Sequence, residues 1–332
     1  MKPQLINGDC LVEMAKLPDK SVDLILTDPP YFKVKSDAWD RQWEKPTEFL
    51  AWLDQIAEQW QRILKPNGSL YCFASPQMAA RVECQIMERF KVLNHVVWSK
   101  PSGIHQRQCK EELRSFFPQT ERIIFAEHYG ADNMAKGEAG YAAKCDELRG
   151  FLFEPLRAYL VAERERAGHT TKTICQALKC TTASHYFSKS QWALPTEKHY
   201  QSMRELLNRS GRHDYLRREY EDLRREYEDL RREYEDLRRP FGVSSSVPYT
   251  DVWSFNVVQG YKGKHPCEKP QDLLRHIIAA SSRPGAVVLD CFMGSGSTGK
   301  ACRELGRNFI GIEFDADYFK KASEYINEEA LV

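Results

Sequence analysis

Val22-Asp23-Leu24-Ile25-Leu26-Thr27-Asp28-Pro29-Pro30-Tyr31 joins an apolar run to an acidic, proline-locked, aromatic-tipped turn. Leu24, Ile25 and Leu26 form a short continuous apolar run, the pattern of a strand covered on both faces within a parallel sheet. Two successive prolines cannot extend that sheet. Each lacks an N–H donor and fixes φ, and Pro29 biases Asp28 toward extended backbone. The chain therefore leaves the sheet at the carboxyl end of a strand, holding a carboxylate, a free proline carbonyl and an aromatic ring close together. Open α/β sheets bind ligands at that edge. Taken alone, the ten residues fit equally well a strand that stops in a plain proline turn.

Outward from that stretch, residues 1–130 alternate strand and helix. Leu5-Ile6-Asn7-Gly8-Asp9-Cys10 reads as a short strand ending in a Gly-Asp turn, and residues 11–17 as a helix closed by Pro18. Residues 32–46, rich in Lys, Asp and Trp, form a loop beside the Tyr31 turn. Residues 47–64 carry Phe49, Leu53, Ile56, Trp60 and Ile63 at helical spacing, with Thr47 as N-cap and Lys65-Pro66-Asn67-Gly68 as the stop. Residues 69–73 then read as a strand, 76–90 as a helix, and 92–98 and 122–127 as strands separated by a polar loop. The alternation is the βαβ signature of a parallel sheet with helices on both faces.

The other informative segment lies near the C-terminus. Ala286-Val287-Val288-Leu289-Asp290 reads as a buried strand, Cys291-Phe292-Met293-Gly294-Ser295-Gly296-Ser297-Thr298-Gly299 as a glycine-rich turn, and residues 300–305 as the helix after it. A second strand, residues 308–312, ends at Glu313. This is the first βαβ unit of a nucleoside-binding sheet: Gly294 and Gly296 let backbone approach a ligand, and Glu313 can accept from ribose hydroxyls. The third glycine of G-x-G-x-x-G is missing, and no cluster of cations waits for a pyrophosphate. Asp290 would repel a phosphate but could hold an amino group. A ligand with a ribose and a zwitterion but no phosphate fits S-adenosylmethionine better than NAD, and a glycine turn made only for packing is the other reading of these residues.

Between these segments the character changes. Residues 131–150 read as a linker and 151–167 as a helix. Residues 171–178 and 182–187 suit two short helices joined by Lys179-Cys180-Thr181, the spacing of a helix-turn-helix, although the usual turn glycine is absent. A small helical subdomain with no DNA role fits the same pattern. Residues 219–239 repeat Glu-Tyr-Glu-Asp-Leu-Arg-Arg three times. Tyr220, Tyr227 and Tyr234 share one heptad position, and Leu216, Leu223, Leu230 and Leu237 fall three residues later on an a/d seam. Glu221 with Arg225, Glu228 with Arg232, and Glu235 with Arg239 are favourable i,i+4 pairs. The helix could pair with another chain in a homodimer, or dock its Tyr/Leu stripe on its own protein; three heptads and tyrosine at the a position favour docking.

Composition narrows the class. The chain has 332 residues, room for one large or two ordinary domains. No run approaches the roughly 20 apolar residues of a membrane span, and no apolar stretch follows Lys2 as in a signal peptide. Ten cysteines are scattered without a C-x-x-C pair, which argues against zinc ribbons and redox motifs and for a reduced, cytoplasmic protein. A net charge of +1 is neutral on nucleic acid, because local patches decide that.

The pairing of Asp28-Pro29-Pro30-Tyr31 with Phe292-Met293-Gly294-Ser295-Gly296 resembles the β group of DNA amino-methyltransferases, the N6-adenine and N4-cytosine enzymes. Their order is the same: catalytic tetrapeptide first, recognition insert in the middle, cofactor loop last. Asn7-Gly8-Asp9, His265-Pro266-Cys267-Glu268-Lys269-Pro270 and Gly306-Arg307-Asn308-Phe309-Ile310-Gly311-Ile312-Glu313 extend the likeness over roughly 1–130 and 250–327. Ser190-Gln191-Trp192-Ala193-Leu194-Pro195 resembles inserts of phage-type members.

The resemblance implies an α/β fold, a circularly permuted, Rossmann-like methyltransferase sheet. Its catalytic half would be 1–130, its helical target-recognition insert 131–249 and its cofactor half 250–332. It implies S-adenosylmethionine as cofactor, S-adenosylhomocysteine as product, double-stranded DNA as partner, a DNA-methylation or restriction–modification role in a bacterial or phage setting, and no metal. Asp28 and the Pro29 carbonyl would accept hydrogen bonds from the target amine, with Pro30 locking the turn and Tyr31 stacking on a flipped base. The expected cofactor residues are Asp9, Cys10, Asp28, Lys269, Pro270, Asp290, Phe292, Gly294, Ser295, Gly296, Ser297, Thr298 and Glu313. The candidate DNA contacts are Lys33, Lys35, Thr182, Ser184, His185, Lys189 and Gln191. An aspartate opening the tetrapeptide favours adenine over cytosine. A nicotinamide oxidoreductase would need phosphate contacts and a hydride partner that the sequence lacks, and a non-catalytic DNA-binding protein is the third reading.

Overall fold

Strand β2, Val22–Thr27, is buried along nearly its whole length because both faces of its sheet are covered. Ile25 packs into an apolar cluster with Met14, Phe49, Leu53, Trp60 and Ile86. Its neighbours Leu24 and Leu26 point the other way, into a cluster with Leu273, Ile277, Ala301 and Ile326. The alternation of side chains along a strand accounts for three apolar residues in succession. The computed structural model describes residues 3–34, 37–101, 114–128, 149–189, 191–209, 211, 213–243, 249–261 and 264–328. It divides into two compact units, Met1–Glu138 with Arg239–Val332, and Ala139–Arg238.

The first unit is built on an eight-stranded sheet. In chain order its elements are β1 (Gln4–Asn7), α1 (Cys10–Met14), β2, α2 (Pro46–Ile63), β3 (Leu64–Ala74), α3 (Ala79–Met87), β4 (Lys91–Ser99) and β5 (Thr120–Glu127). After the second unit, with helices α4 (Glu154–Arg166), α5 (Thr171–Leu178), α6 (Glu197–Leu207) and α7 (Tyr220–Leu237), come β6 (Val252–Ser254), α8 (Gln271–Ser281), β7 (Val287–Asp290), α9 (Ser297–Glu304), β8 (Asn308–Glu313) and α10 (Ala316–Asn327). The spatial order is β1-β8-β7-β2-β3-β5-β4-β6. Between β7 and β2 the order switches direction, since β7 leads away to β8 and β2 leads away to β3. A crevice at the carboxyl ends of two such strands is where doubly wound sheets bind ligands. Leu24 pairs with Val288 and Ile25 with Leu289, so the turns after Thr27 and Asp290 lie side by side.

Three expectations change. The sheet is not wholly parallel: β5 runs antiparallel to both β3 and β4. Strands that pair antiparallel need no helical crossover between them, whereas a parallel pair does. Helix α2 starts one residue before Thr47, with Pro46 at its first position, where a missing N–H is harmless; Glu48 accepts from the backbone of Glu44 at 3.0 Å and Lys45 at 3.3 Å. Helix α9 begins at Ser297, three residues earlier than the sequence suggests, because Gly296 serves as its N-cap.

The second unit contains α4 (Glu154–Arg166), α5 (Thr171–Leu178), a 3-10 segment (Thr181–Tyr186), α6 (Glu197–Leu207) and α7 (Tyr220–Leu237). It has its own core of Leu156, Leu160, Ile174, Tyr186, Trp192, Tyr200, Met203 and Leu223. The second helix of the expected helix-turn-helix is therefore one 3-10 segment, not an α-helix. Adjacent β-branched Thr181 and Thr182 are stiff at χ1, and the Ser184 hydroxyl donates to the Thr181 carbonyl at 3.0 Å, a local bond that competes with helix. Lys179 takes the left-handed position that glycine usually fills, with φ 52°.

The repeat helix α7 docks within its own unit. Leu223 and Tyr234 are buried, and the Tyr227 ring lies 5.4 Å from Phe153 and 5.8 Å from Trp192. Leu216 is not on the helical seam; it sits ahead of α7 with φ 53°. The surface pairs also differ from the expected i,i+4 set: Arg224 bonds Glu228, and Arg225 and Arg232 reach back to Asp222 and Asp229. Arg239 already belongs to the first unit and pairs with buried Glu127 within it.

Candidate active site

A cavity of about 510 Å³ opens at the carboxyl ends of β2 and β7, within the roughly 300–1,000 Å³ of ligand pockets. Asp28, Pro29, Pro30 and Tyr31 line it. So do Asp9, Cys10, Lys269, Asp290, Phe292, Gly294, Ser295, Ser297, Thr298 and Glu313. Pro270 and Gly296, expected among the cofactor residues, are off its wall. Pro270 caps α8. Gly296, with φ 81°, lets α9 approach α10, where a side chain would meet Ala322 at 3.1 Å. Gly294, with φ 52°, turns the loop beside His265, whose ring would be 3.0 Å from an added Cβ.

The β7 side of the cavity is held by neutral donors. Asp290 Oδ1 accepts from Thr27 Oγ1 at 3.0 Å and from the Phe292 N–H at 3.2 Å, and Oδ2 accepts from Thr298 Oγ1 at 2.7 Å. Burial pushes the Asp290 carboxyl up to about 6 despite those bonds. Glu313 accepts from the Gly294 N–H at 2.8 Å and the Asp315 N–H at 2.9 Å, and burial raises its pKa as well. Asp290 Oδ2 and both Glu313 oxygens each keep room for a further donor. Asp9 caps α1, accepting from Leu11 at 2.9 Å and Val12 at 3.1 Å.

The β2 side is held by charge. The Lys269 ammonium donates to Asp28 Oδ2 and stands 3.6 Å from Glu121 Oε2. Glu121 takes the Lys100 ammonium on its other oxygen and accepts from the Tyr31 hydroxyl at 2.9 Å. Asp28 Oδ1 is buried and has no partner among the described residues. Burial raises the pKa of Asp28 and Glu121 raises it further, while Lys269 opposes both. For Glu121 the two lysines overcome burial and leave its carboxyl below the usual range. The turn is braced from below by Asp40, which accepts from the Tyr31 N–H at 2.7 Å. Phe32 and Lys33 follow it with φ near +60°, strained for non-glycine residues.

Glu121, Lys100, Asp40 and Thr27 are absent from the expected site. Glu121 and Lys100 belong to no motif; only the antiparallel return of β5 brings the start of that strand to the edge where β2 ends. Thr27, adjoining Asp28 in the strand, was the nearest to legible. Lys33 is exposed, and its ammonium donates to the Glu44 carbonyl at 2.7 Å; Lys35 lies outside the described residues. In the second unit Thr182, Lys189 and Gln191 are exposed, and Ser184 and His185 half-buried.

The donor set fits S-adenosylmethionine. Two carboxylates with spare lone pairs, a glycine turn between them and an unpartnered acceptor share one cavity. Its single lining lysine is already ion-paired, so among the described residues no cation cluster awaits a pyrophosphate.

A family model described as DNA methylase matches residues 22–324. "DNA adenine methyltransferase YhdJ" of Escherichia coli (strain K12) is 27% identical over 98% of this chain and 85% of its own length. Among solved structures, the M1.HpyAVI–SAM complex superposes with a TM-score of 0.51 at 20% identity, covering 98% of this chain and 99% of that one. PvuII DNA methyltransferase, described as cytosine-N4-specific, gives a TM-score of 0.53 at 14% identity, covering 100% of this chain and 90% of that one.

Proposed function

This chain belongs to the DNA methylase family, and from that premise we propose that it methylates the N6 amine of adenine in a flipped base of double-stranded DNA. One observation carries the reading. Asp28-Pro29-Pro30-Tyr31 and the Asp290–Thr298 turn wall one cavity, with Asp28 Oδ1 buried and unpartnered there.

Bound S-adenosylmethionine supplies an electrophilic methyl group on a sulfonium. Asp290 would hold its amino group, Glu313 its ribose hydroxyls, and Gly294 would let backbone approach. Asp9, Cys10, Phe292, Ser295, Ser297 and Thr298 complete that wall. The target amine is conjugated to its ring and is a poor nucleophile. Asp28 Oδ1 and the Pro29 carbonyl, as two acceptors, favour its rehybridisation and expose a lone pair, so catalysis is chiefly positioning and electrostatics. As the nitrogen gains a substituent it sheds a proton, for which Asp28 Oδ1 is the acceptor in place. Tyr31 would stack on the base, whose flipping costs a few kcal/mol.

An aspartate at the head of the tetrapeptide and a relative named as an adenine enzyme support adenine. The likeness in fold to a cytosine-N4 enzyme keeps N4-cytosine as the second reading. Mass spectrometry of nucleosides from DNA of cells expressing the chain should show N6-methyladenine, and none with Asp28→Ala; N4-methylcytosine in its place would overturn the adenine assignment.

A further inference from the structure

Lys269 and Glu121 are not needed to explain binding of the cofactor, yet they form the most heavily charged buried cluster of the site. Lys269 is 8% exposed. Its ammonium touches Asp28 Oδ2, stands 3.6 Å from Glu121 Oε2 and 3.4 Å from the Cys267 carbonyl, and lies over the rings of Phe73 at 4.8 Å and Tyr31 at 5.4 Å. Glu121 is the hub of the other contacts: one oxygen takes Lys100, the other the Tyr31 hydroxyl. Two carboxylates and two ammonium groups therefore alternate as Asp28, Lys269, Glu121, Lys100, with the Tyr31 hydroxyl anchored on Glu121. Within this arrangement Asp28 Oδ2 is occupied, and Asp28 Oδ1 has no hydrogen-bond partner among the described residues.

A buried, unpaired carboxylate takes up a proton, and a carboxylic acid oxygen that carries a proton donates where an amine needs an acceptor. We infer that Lys269 and Glu121 are positioning residues for methyl transfer: Lys269 holds Asp28 as a carboxylate with Oδ1 toward the target amine, and Glu121 holds both Lys269 and Tyr31. This rests on the methyl-transfer reading of the site. Groups from each packed element face Asp28. Lys269 comes from the segment before α8, Glu121 from β5, Tyr31 from its own turn, Cys72 from β3 and Asp290 from β7. Among these only Lys269 is a cation; Lys100, from the end of β4, acts at Glu121. Burial and Glu121 favour protonated Asp28; Lys269 opposes them by charge and by hydrogen bond, with a lesser contribution from the Tyr31 hydroxyl, so the carboxylate depends chiefly on Lys269.

The test is the pH profile of single-turnover methyl transfer from tritium-labelled S-adenosylmethionine to DNA of a methylation-deficient strain, with cofactor affinity measured in parallel. For Lys269→Met the acid limb should move up by about one pH unit or more. The rate at pH 7 should fall by up to about tenfold for each unit of that shift, the loss shrinking toward pH 9. Lys269→Arg should bring the limb back. Glu121→Gln removes a negative charge facing Asp28, so its limb should move down, opposite to Lys269→Met, while cofactor affinity stays within about threefold. An acid limb that stays in place in both variants, or loss by the same factor at every pH, would overturn the inference. Absence of label with the unaltered chain would instead overturn the methylation reading itself.

Discussion

Asp28 and Asp290 end neighbouring parallel strands, Asp290 buried and Asp28 half-buried with a buried Oδ1, but their charges are met in opposite ways. Asp290 is surrounded by two threonine hydroxyls and one N–H, and burial lifts its carboxyl to about 6. Asp28 has an ammonium on one oxygen and, among the described residues, no hydrogen-bond partner on the other. Neutral donors orient a carboxylate without cancelling its charge, so Asp290 remains able to receive a cation such as an amino group. An adjacent ammonium cancels the charge and leaves a lone pair, which suits Asp28 to a neutral N–H donor. One sheet edge thus carries two chemically distinct carboxylates one strand apart.

The sharpest way to break this contrast is Asp28→Ala. Methyl transfer should fall by about 10³-fold or more in single turnover, on the scale of losing a preorganised transition-state partner. Cofactor affinity should barely change in calorimetric titration; a comparable loss of binding would erase the division of labour. Asp290→Ala should do the reverse, weakening cofactor binding by about 10–100-fold, the size of a lost charge-assisted hydrogen bond.

A pH series sharpens the same point. Below about 6 Asp290 is protonated in the free protein, so an incoming ammonium must first displace that proton. Affinity for S-adenosylmethionine should therefore rise as pH increases from 5 to 7, by up to about tenfold per unit on the acid side. Glu313, raised in the same direction, adds to the slope. Asp290→Asn should flatten most of it, and an unchanged slope would show that Asp290 does not meet the amino group. The smallest expected effect is that of Tyr31→Phe, which keeps the ring and removes only the hydroxyl held by Glu121. A loss of about three- to tenfold in rate should appear, worth roughly one hydrogen bond.

Much of the site was legible because its residues follow strands in short range. A buried strand ending in Asp28-Pro29-Pro30-Tyr31, and another ending in Asp290 before a glycine turn, show in local pattern alone. Helix α8 has the bounds its apolar spacing predicts, Gln271–Ser281. The second unit was less legible. Residues 182–187 are compatible with helix by composition, yet a hydroxyl-to-carbonyl bond and β-branched neighbours leave a 3-10 segment. The a/d seam foresaw burial of Leu223 and Tyr234 but placed Leu216 on it, because heptad spacing cannot show where a helix begins.

By itself the sequence determined the two strand-ends that meet in the cavity, and with them the acceptor and the glycine turn. What tertiary structure alone decided is the direction of β5. Ala74 at the end of β3 pairs with Arg122 at the start of β5, which puts Glu121 at the edge where β2 ends. A parallel β5 would have carried Glu121 to the far edge of the sheet, leaving Tyr31 and Lys269 without it. Strand direction depends on how a connecting segment closes in space, a long-range property that no local run of residues records.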